Sequence, residues 1–315
     1  MSYIYPQSEL IGYLLLERIQ IINANAISSP LTYGFPAITG FAGATHALSR
    51  KLAQIDALSD FALDGVMIAC HECQVQSYRN HPFGDFSFVQ TRNPLLKTGK
   101  TAPIIEEGRC HLVVSLVVGV YHTDVIGYSQ ETAKHLLCDT VSQLAQQQRF
   151  AGGSVSSLKK VSFFSHHERS AAKIKNKLRP AFVLMDAHQE LSDITQELQE
   201  QDPNKTALDA LIAVSTLYHN PPDDTHDSWH TTSVKTGRGW LVPMPMGFVG
   251  ISPLFDANTL KNSRSQQYPS QYVEAVYGLG KWKFVHFVEL TQALWFCRHD
   301  PQSSLYLVTQ QPNQP

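Results

Sequence analysis

The sequence predicts a mixed α/β fold whose first half follows the ferredoxin-like, split β-α-β arrangement. Three observations lead there. Apolar runs of strand character alternate with runs of helical period. Two β-α-β sets follow one another. The stretch between them, Tyr78–Gly108, is too long for an ordinary strand connection and is expected to protrude as a functional hairpin or loop.

Taken in order, Tyr13–Ile22 is leucine-rich and β-branched, alternates from Glu17 to Ile21, and reads as a strand. Asn23–Pro36 is dense in Asn, Ser, Pro and Gly and reads as a loop. Thr39 can cap a helix that places Phe41, Thr45, Leu48 and Leu52 on one face. Leu63–Gln76 is a second strand. Leu112–Val120 is a third, and its continuous apolar run suits a central position covered on both faces. Ser129 can cap a second helix with Ala133, Leu136, Leu137, Val141 and Leu144 at helical spacing. Ala151–Val155 is a glycine turn leading toward another strand.

The second half is less periodic. Lys159–Arg179 carries seven cations against one acid, Glu168. Leu191–Leu198 and Ala207–Tyr218 read as helices, Asn220–Ser228 as an acidic loop, and Gly239–Leu254 as an extended Pro/Gly-rich segment. Phe284–Arg298 reads as an amphipathic helix burying Phe284, Phe287, Val288, Leu294 and Trp295, and Gln310–Pro315 as a disordered tail. The expected division is a core over 1–165, an insertion at about 78–108, and a C-terminal part over 166–315 packed on the core.

Composition sets the limits. At 315 residues, 43% apolar and 17% charged, the chain is long enough for one or two hydrophobic cores. A net charge of −2 counts against a free-standing nucleic-acid binder and fits a subunit that shares its ligand with a more basic partner. Five scattered cysteines and no secretory leader predict reduced thiols and a cytoplasmic location. The longest apolar stretch, Leu112–Tyr121, is too short to span a bilayer, so no membrane association is expected.

Candidate chemistry must be weighed against plainer readings. Cys70 and Cys73 resemble half of a zinc site, yet no second pair exists, and strand alternation sends them to opposite faces. Asp223, Asp224, His226, Asp227 and His230 are metal-competent types in a Pro-rich loop without a framework. Neither is expected to hold a metal. Gly-x-Ser-x-Gly, His-Glu-x-x-His, the Walker lysine motif and Gly-x-Gly-x-x-Gly are all missing from the sequence, so no catalytic residue and no cofactor are assigned. With fourteen histidines, His46, His71, His111 or His122 alone indicates nothing.

Three segments suit RNA. The loop after the first strand offers Asn23, Asn25, Ser28, Ser29 and Thr32 as hydrogen-bonding groups and Tyr33 and Phe35 as stacking surfaces. Arg92, Lys97, Lys100 and Arg109 space cations along the excursion, with the amide of Asn93 beside them, where phosphates can be tracked. Gly152, Gly153 and Ser154 form a turn whose backbone N–H groups can approach a phosphate. An ordinary turn, a solvated edge and a plain hairpin are the competing readings.

Several of these segments also resemble one family. They are Asn23–Pro36, Leu63-Asp-Gly-Val66, Thr91-Arg-Asn-Pro94, Glu106-Glu-Gly-Arg109 and Ala151-Gly-Gly-Ser154, then Thr206–Leu211, Gly239–Pro245 and Tyr277–Trp282. In order and spacing they resemble the RAMP subunit that binds the 5′ handle of the guide RNA (crRNA) in type I-F CRISPR surveillance complexes. The match runs from about Tyr13 to Leu307, weakening across about 158–202 and 221–236. The resemblance implies a RAMP core, which is ferredoxin-like and RRM-like, with a protruding thumb at the excursion. It also implies handle capture together with the large subunit of the complex, an adjacent backbone RAMP subunit, target double-stranded DNA met through the complex, and no catalysis. A RAMP-type endoribonuclease and a protein-only adaptor remain as alternatives.

Overall fold

The computed structural model describes residues 8–123, 131–222, 227–263 and 265–310. Among them the first half forms β1 (Glu9–Asn25), β2 (Ile27–Ser29), β3 (Thr32–Tyr33), α1 (Ile38–Leu52), β4 (Phe61–Val75), β5 (Ser77–Arg79), β6 (Phe86–Phe88), β7 (Gln90–Arg92), β8 (Ile104–Glu106), β9 (Arg109–His122) and α2 (Glu131–Gln146). The second half forms β10 (Arg149–Phe150), β11 (Gly153–Ser165), α3 (Glu168–Leu178), β12 (Phe182–Asp186), α4 (His188–Gln201), α5 (Ala207–Ser215), β13 (Tyr218–Asn220), β14 (His230–Thr232), β15 (Trp240–Gly250), β16 (Val273–Phe284), β17 (Phe296–Asp300) and β18 (Leu305–Thr309). Ten strands make one antiparallel sheet ordered β10-β11-β1-β9-β4-β12-β16-β15-β18-β17. The mixed α/β class is as the sequence predicted.

Long strands keep a constant buried face only if every extra residue is absorbed, because a one-residue slip turns the side chains over. In β1 the bulge between Leu16 and Ile19 does this, with Arg18 at φ 49°. Leu14, Leu16, Ile19 and Ile21 therefore share one core while Tyr13 and Leu15 belong to another. The first core lies under α1 and α2, whose Phe41, Leu48, Leu52, Leu137 and Val141 are fully buried. The second lies under α3 and the chain around 285–296. With both faces covered, β9 can carry the nearly continuous apolar run Leu112–Val120 that the sequence indicated. Each fully buried large apolar side chain contributes roughly 1.5–3 kcal/mol.

Several expectations change. Helix α1 begins after Ala37, so Thr39 sits in the first turn and caps nothing. Leu136 is exposed, because Leu137, Val141 and Ala145 form the buried stripe of α2. Ser129, the other expected cap, lies outside the described residues, as do 223–226 and 311–315. The helix expected over Phe284–Arg298 is replaced by two 3-10 turns, Val285–Phe287 and Leu290–Gln292, followed by β17. Its Phe287 is exposed. The cause is tertiary: Trp295 pairs its backbone with Val66 in both directions (3.0 and 2.9 Å) and donates its indole N–H to Leu184 O at 3.0 Å. These bonds require extended chain there. Gln310, expected in a disordered tail, is buried, with its amide donating to Leu184 O and Ala293 O.

Candidate functional site

One end of the central strands gathers most of the candidate residues. Asn25 is in register with Arg109 of β9, and its N–H donates to Ala151 O in the glycine turn at 2.9 Å. Asn23 adopts a left-handed φ of 55° at the bulge before Ala24, a conformation Asn tolerates better than most residues. Its side-chain oxygen accepts from Gln76 Nε2 at 2.7 Å, and its N–H donates to His111 Nδ1 at 3.4 Å. Asn25 folds its amide onto Ile27, accepting from the N–H and donating to the carbonyl. Asn23 and Asn25 thus end a strand and do not lie in a free loop. Gln76 and His111 complete this network, and sequence reasoning assigned neither a role.

Residues 27–33 form a small hairpin, β2–β3. Ser29 Oγ accepts from the N–H groups of Leu31 and Thr32, and Thr32 Oγ1 lies 2.6 Å from both Ser28 Oγ and Ser29 Oγ. Tyr33 stacks on Phe88 of the excursion at 4.1 Å, so one ring face is already covered. Burial raises its phenol pKa above the ordinary value. Phe35 packs between Phe41 and Trp282.

In the glycine turn, Ala151 (φ 48°) and Gly152 (φ 79°) give the twist that a two-residue hairpin requires. Gly152 and Ser154 are exposed. Gly153 is buried, and a Cβ there would meet Ile21 Cγ2 at 2.5 Å and the backbone of Ile22 and Ala24 at 2.8 Å. The excursion consists of two consecutive hairpins, β5–β6 and β7–β8, and nearly all its residues are exposed. Arg92, Asn93, Lys97 and Lys100 stand on it in solvent. Arg109 does not: it pairs with Glu107 at 2.7 Å and reaches Asn23 O at 3.5 Å.

Beside the hairpin lies a cavity of about 510 Å³, within the usual range for ligand sites. Aromatic rings dominate its wall: Tyr33, Phe35, Phe182, Trp240 and Trp282. Trp240 and Trp282 face each other across β15 and β16, with centroids 6.2 Å apart. Phe182 meets Trp240 edge-on at 5.7 Å. The only sequence signal for this cluster was the Trp in each of two short motifs some forty residues apart, and their pairing needs the strand register.

Cys70 and Cys73 both line this cavity, contrary to the alternation expected of them. A bulge between Cys70 and Glu72 resets the phase, leaving Cys70 beside Val114 and Cys73 beside Leu112 on the same face. Burial pushes the Cys70 thiol up to about 12. A hydrogen bond with Cys110 lowers that of Cys73. No group of three His, Cys, Asp or Glu among the described residues is arranged to hold a metal. His71 turns to the opposite face at the bulge, with Nδ1 2.8 Å from Pro180 O and Nε2 2.8 Å from Ser115 Oγ. The pattern fits a neutral ring donating to the carbonyl and accepting the hydroxyl, and burial lowers the pKa accordingly.

The basic stretch 159–179 is spent partly within the fold. Lys159 and Lys177 both pair with the buried Glu17, Lys175 with Glu289, and Arg179 bonds His286. No helix of the described residues is long and apolar enough to cross a membrane.

Fold and site together define a class: a mixed α/β sheet protein that gathers amide, guanidinium and aromatic groups at one end of its central strands. Comparison with known proteins narrows it. The family model described as CRISPR-associated protein (Cas_Csy2) matches residues 14–308. CRISPR-associated protein Csy2 of Pseudomonas aeruginosa (strain UCBPP-PA14) is 35% identical over 318 residues, covering 93% of each chain. The chain belongs to the Csy2 family of CRISPR-associated proteins.

Proposed function

We propose that this protein is a non-catalytic, cytoplasmic subunit of a type I-F CRISPR surveillance complex and holds the 5′ handle of the guide RNA together with the large subunit. The observation that carries the reading is convergence. Strand register brings Asn23 and Asn25, Arg109, and the Gly152 turn, from three separate stretches of sequence, to one end of the sheet. Family membership gives that surface its ligand class. The strand order β11-β1-β9-β4, with α1 and α2 in one core, supports a ferredoxin-like RAMP core with the excursion as its thumb. The adjacent backbone RAMP subunit and the target duplex are met through the complex.

Catalysis is not needed for this role. A histidine general base must reach the proton it removes. His71 and His111, the histidines nearest the surface described, are engaged with protein partners. Replacing Asn23, Asn25 and Tyr33 together with alanine is expected to weaken handle binding at least about tenfold in a folded protein. Filter binding on the complex with its large subunit measures this, and unchanged affinity contradicts the assignment. Incubation with repeat RNA should leave that RNA intact. Cleavage products would favour the endoribonuclease reading.

A further inference from the structure

We propose that the aromatic cavity beside the β2–β3 hairpin receives one unpaired base of the guide RNA, turned out of the strand. The inference rests on the handle-binding reading above and deepens it by assigning a receptacle.

Four features support it. The cavity is continuous with the handle surface, because Ser28, Thr32, Tyr33 and Phe35 belong to both. Trp240 is 57% exposed although it sits among aromatic neighbours, so it offers an open face to an entering ring. Stacking of this kind needs only a π-face on the ligand. Third, no Lys or Arg occurs among the described residues lining the cavity. Phosphate gains nothing inside, whereas a neutral planar ring loses little on leaving water. Arg92, Lys97 and Lys100 stand outside on the excursion, where a backbone can be tracked.

Fourth, the lining side chains include groups that can donate and groups that can accept, among them the hydroxyls of Ser28, Thr32 and Tyr33, so any of the four bases can find a partner there.

The test uses the full chain assembled with its large subunit and guide RNA. Handle nucleotides are made abasic one at a time, and affinity is compared between the parent complex and Trp240→Ala, with Trp240→Phe as the conservative variant. One handle position should lose about tenfold or more when its base is removed. That loss should vanish in Trp240→Ala and return in Trp240→Phe. If the handle binds but every abasic penalty is the same in parent and Trp240→Ala, the cavity proposal falls and the handle reading stands. No handle binding by the parent complex overturns both. Loss of the large subunit from the Trp240→Ala complex, with RNA penalties unaltered in Phe182→Ala, identifies a protein side chain as the occupant and also overturns the proposal.

Discussion

The strand-end cluster around Asn23, Asn25 and Arg109 and the excursion from Ser77 to Gly108 leave the sheet at the same end but hold their polar groups differently. In the cluster each named side chain already bonds to protein: Asn23 to Gln76, Asn25 to Ile27, Arg109 to Glu107. On the excursion Arg92, Lys97 and Lys100 stand in solvent on short ladders of three residue pairs or fewer. A ligand meeting the cluster finds groups fixed before it arrives, which lowers the ordering entropy of binding. A ligand meeting the excursion must order long side chains. Substitutions in the first region should therefore change stability and binding together. In the second they should change binding alone.

The comparison is broken most severely at Gly153. A methyl group there meets backbone atoms that cannot move without shifting β1, so Gly153→Ala should lower stability by about 1–3 kcal/mol in urea unfolding. Its neighbour Gly152 has open space beyond 3.7 Å but a φ of 79°, so Gly152→Ala should cost only about 1 kcal/mol. Equal effects at the two positions would show that the turn is looser than the packing implies.

A smaller effect is expected from acid. The pKa of His71 is lowered in the fold, so the unfolded chain binds its proton more readily. The stability held by the neutral ring is fully present above about pH 6.5 and is lost as pH falls through the folded value. Thermal unfolding should shift downward as pH falls below about 6.5, and His71→Gln should flatten that dependence.

Least of all on stability is expected from removing Arg92, Lys97 and Lys100 together. If these cations follow the phosphate backbone, the salt dependence of handle binding should shallow by about 0.7 log units per log unit of salt for each, on native and scrambled handles alike. Arg109→Ala, by contrast, leaves Glu107 unpaired and should also lower stability. An unchanged slope in the triple variant, with poorer solubility, would favour a role in protecting exposed strand edges.

How far the sequence shows these regions follows from the range of the interactions that set them. Phe41, Thr45, Leu48 and Leu52 announce α1 because helical period is local, and Leu112–Val120 announces a central strand because both its faces are buried. The ends fail for a local reason too: Ala37 starts α1 without any capping side chain. Period breaks at bulges, so the shared face of Cys70 and Cys73 was hidden. It breaks again where distant backbone overrides it, as when Val66 holds Trp295 extended inside an apparent helix. The candidate residues of the strand-end cluster stood out individually. Their contacts did not, because Gln76, His111 and Ala151 reach Asn23 and Asn25 only through register.

That same register has a consequence during synthesis. Strand β1 leaves the ribosome well before its two neighbours in the sheet, β9 and β11, which begin only at Arg109 and Gly153. At ordinary elongation rates the nascent chain carries an apolar strand with both edges open for on the order of ten seconds. The hairpins within the excursion can close in microseconds but bring β1 no partner. The interval before β9 emerges is where this chain is most exposed to association with its own copies, and where a holding chaperone has the most to shield.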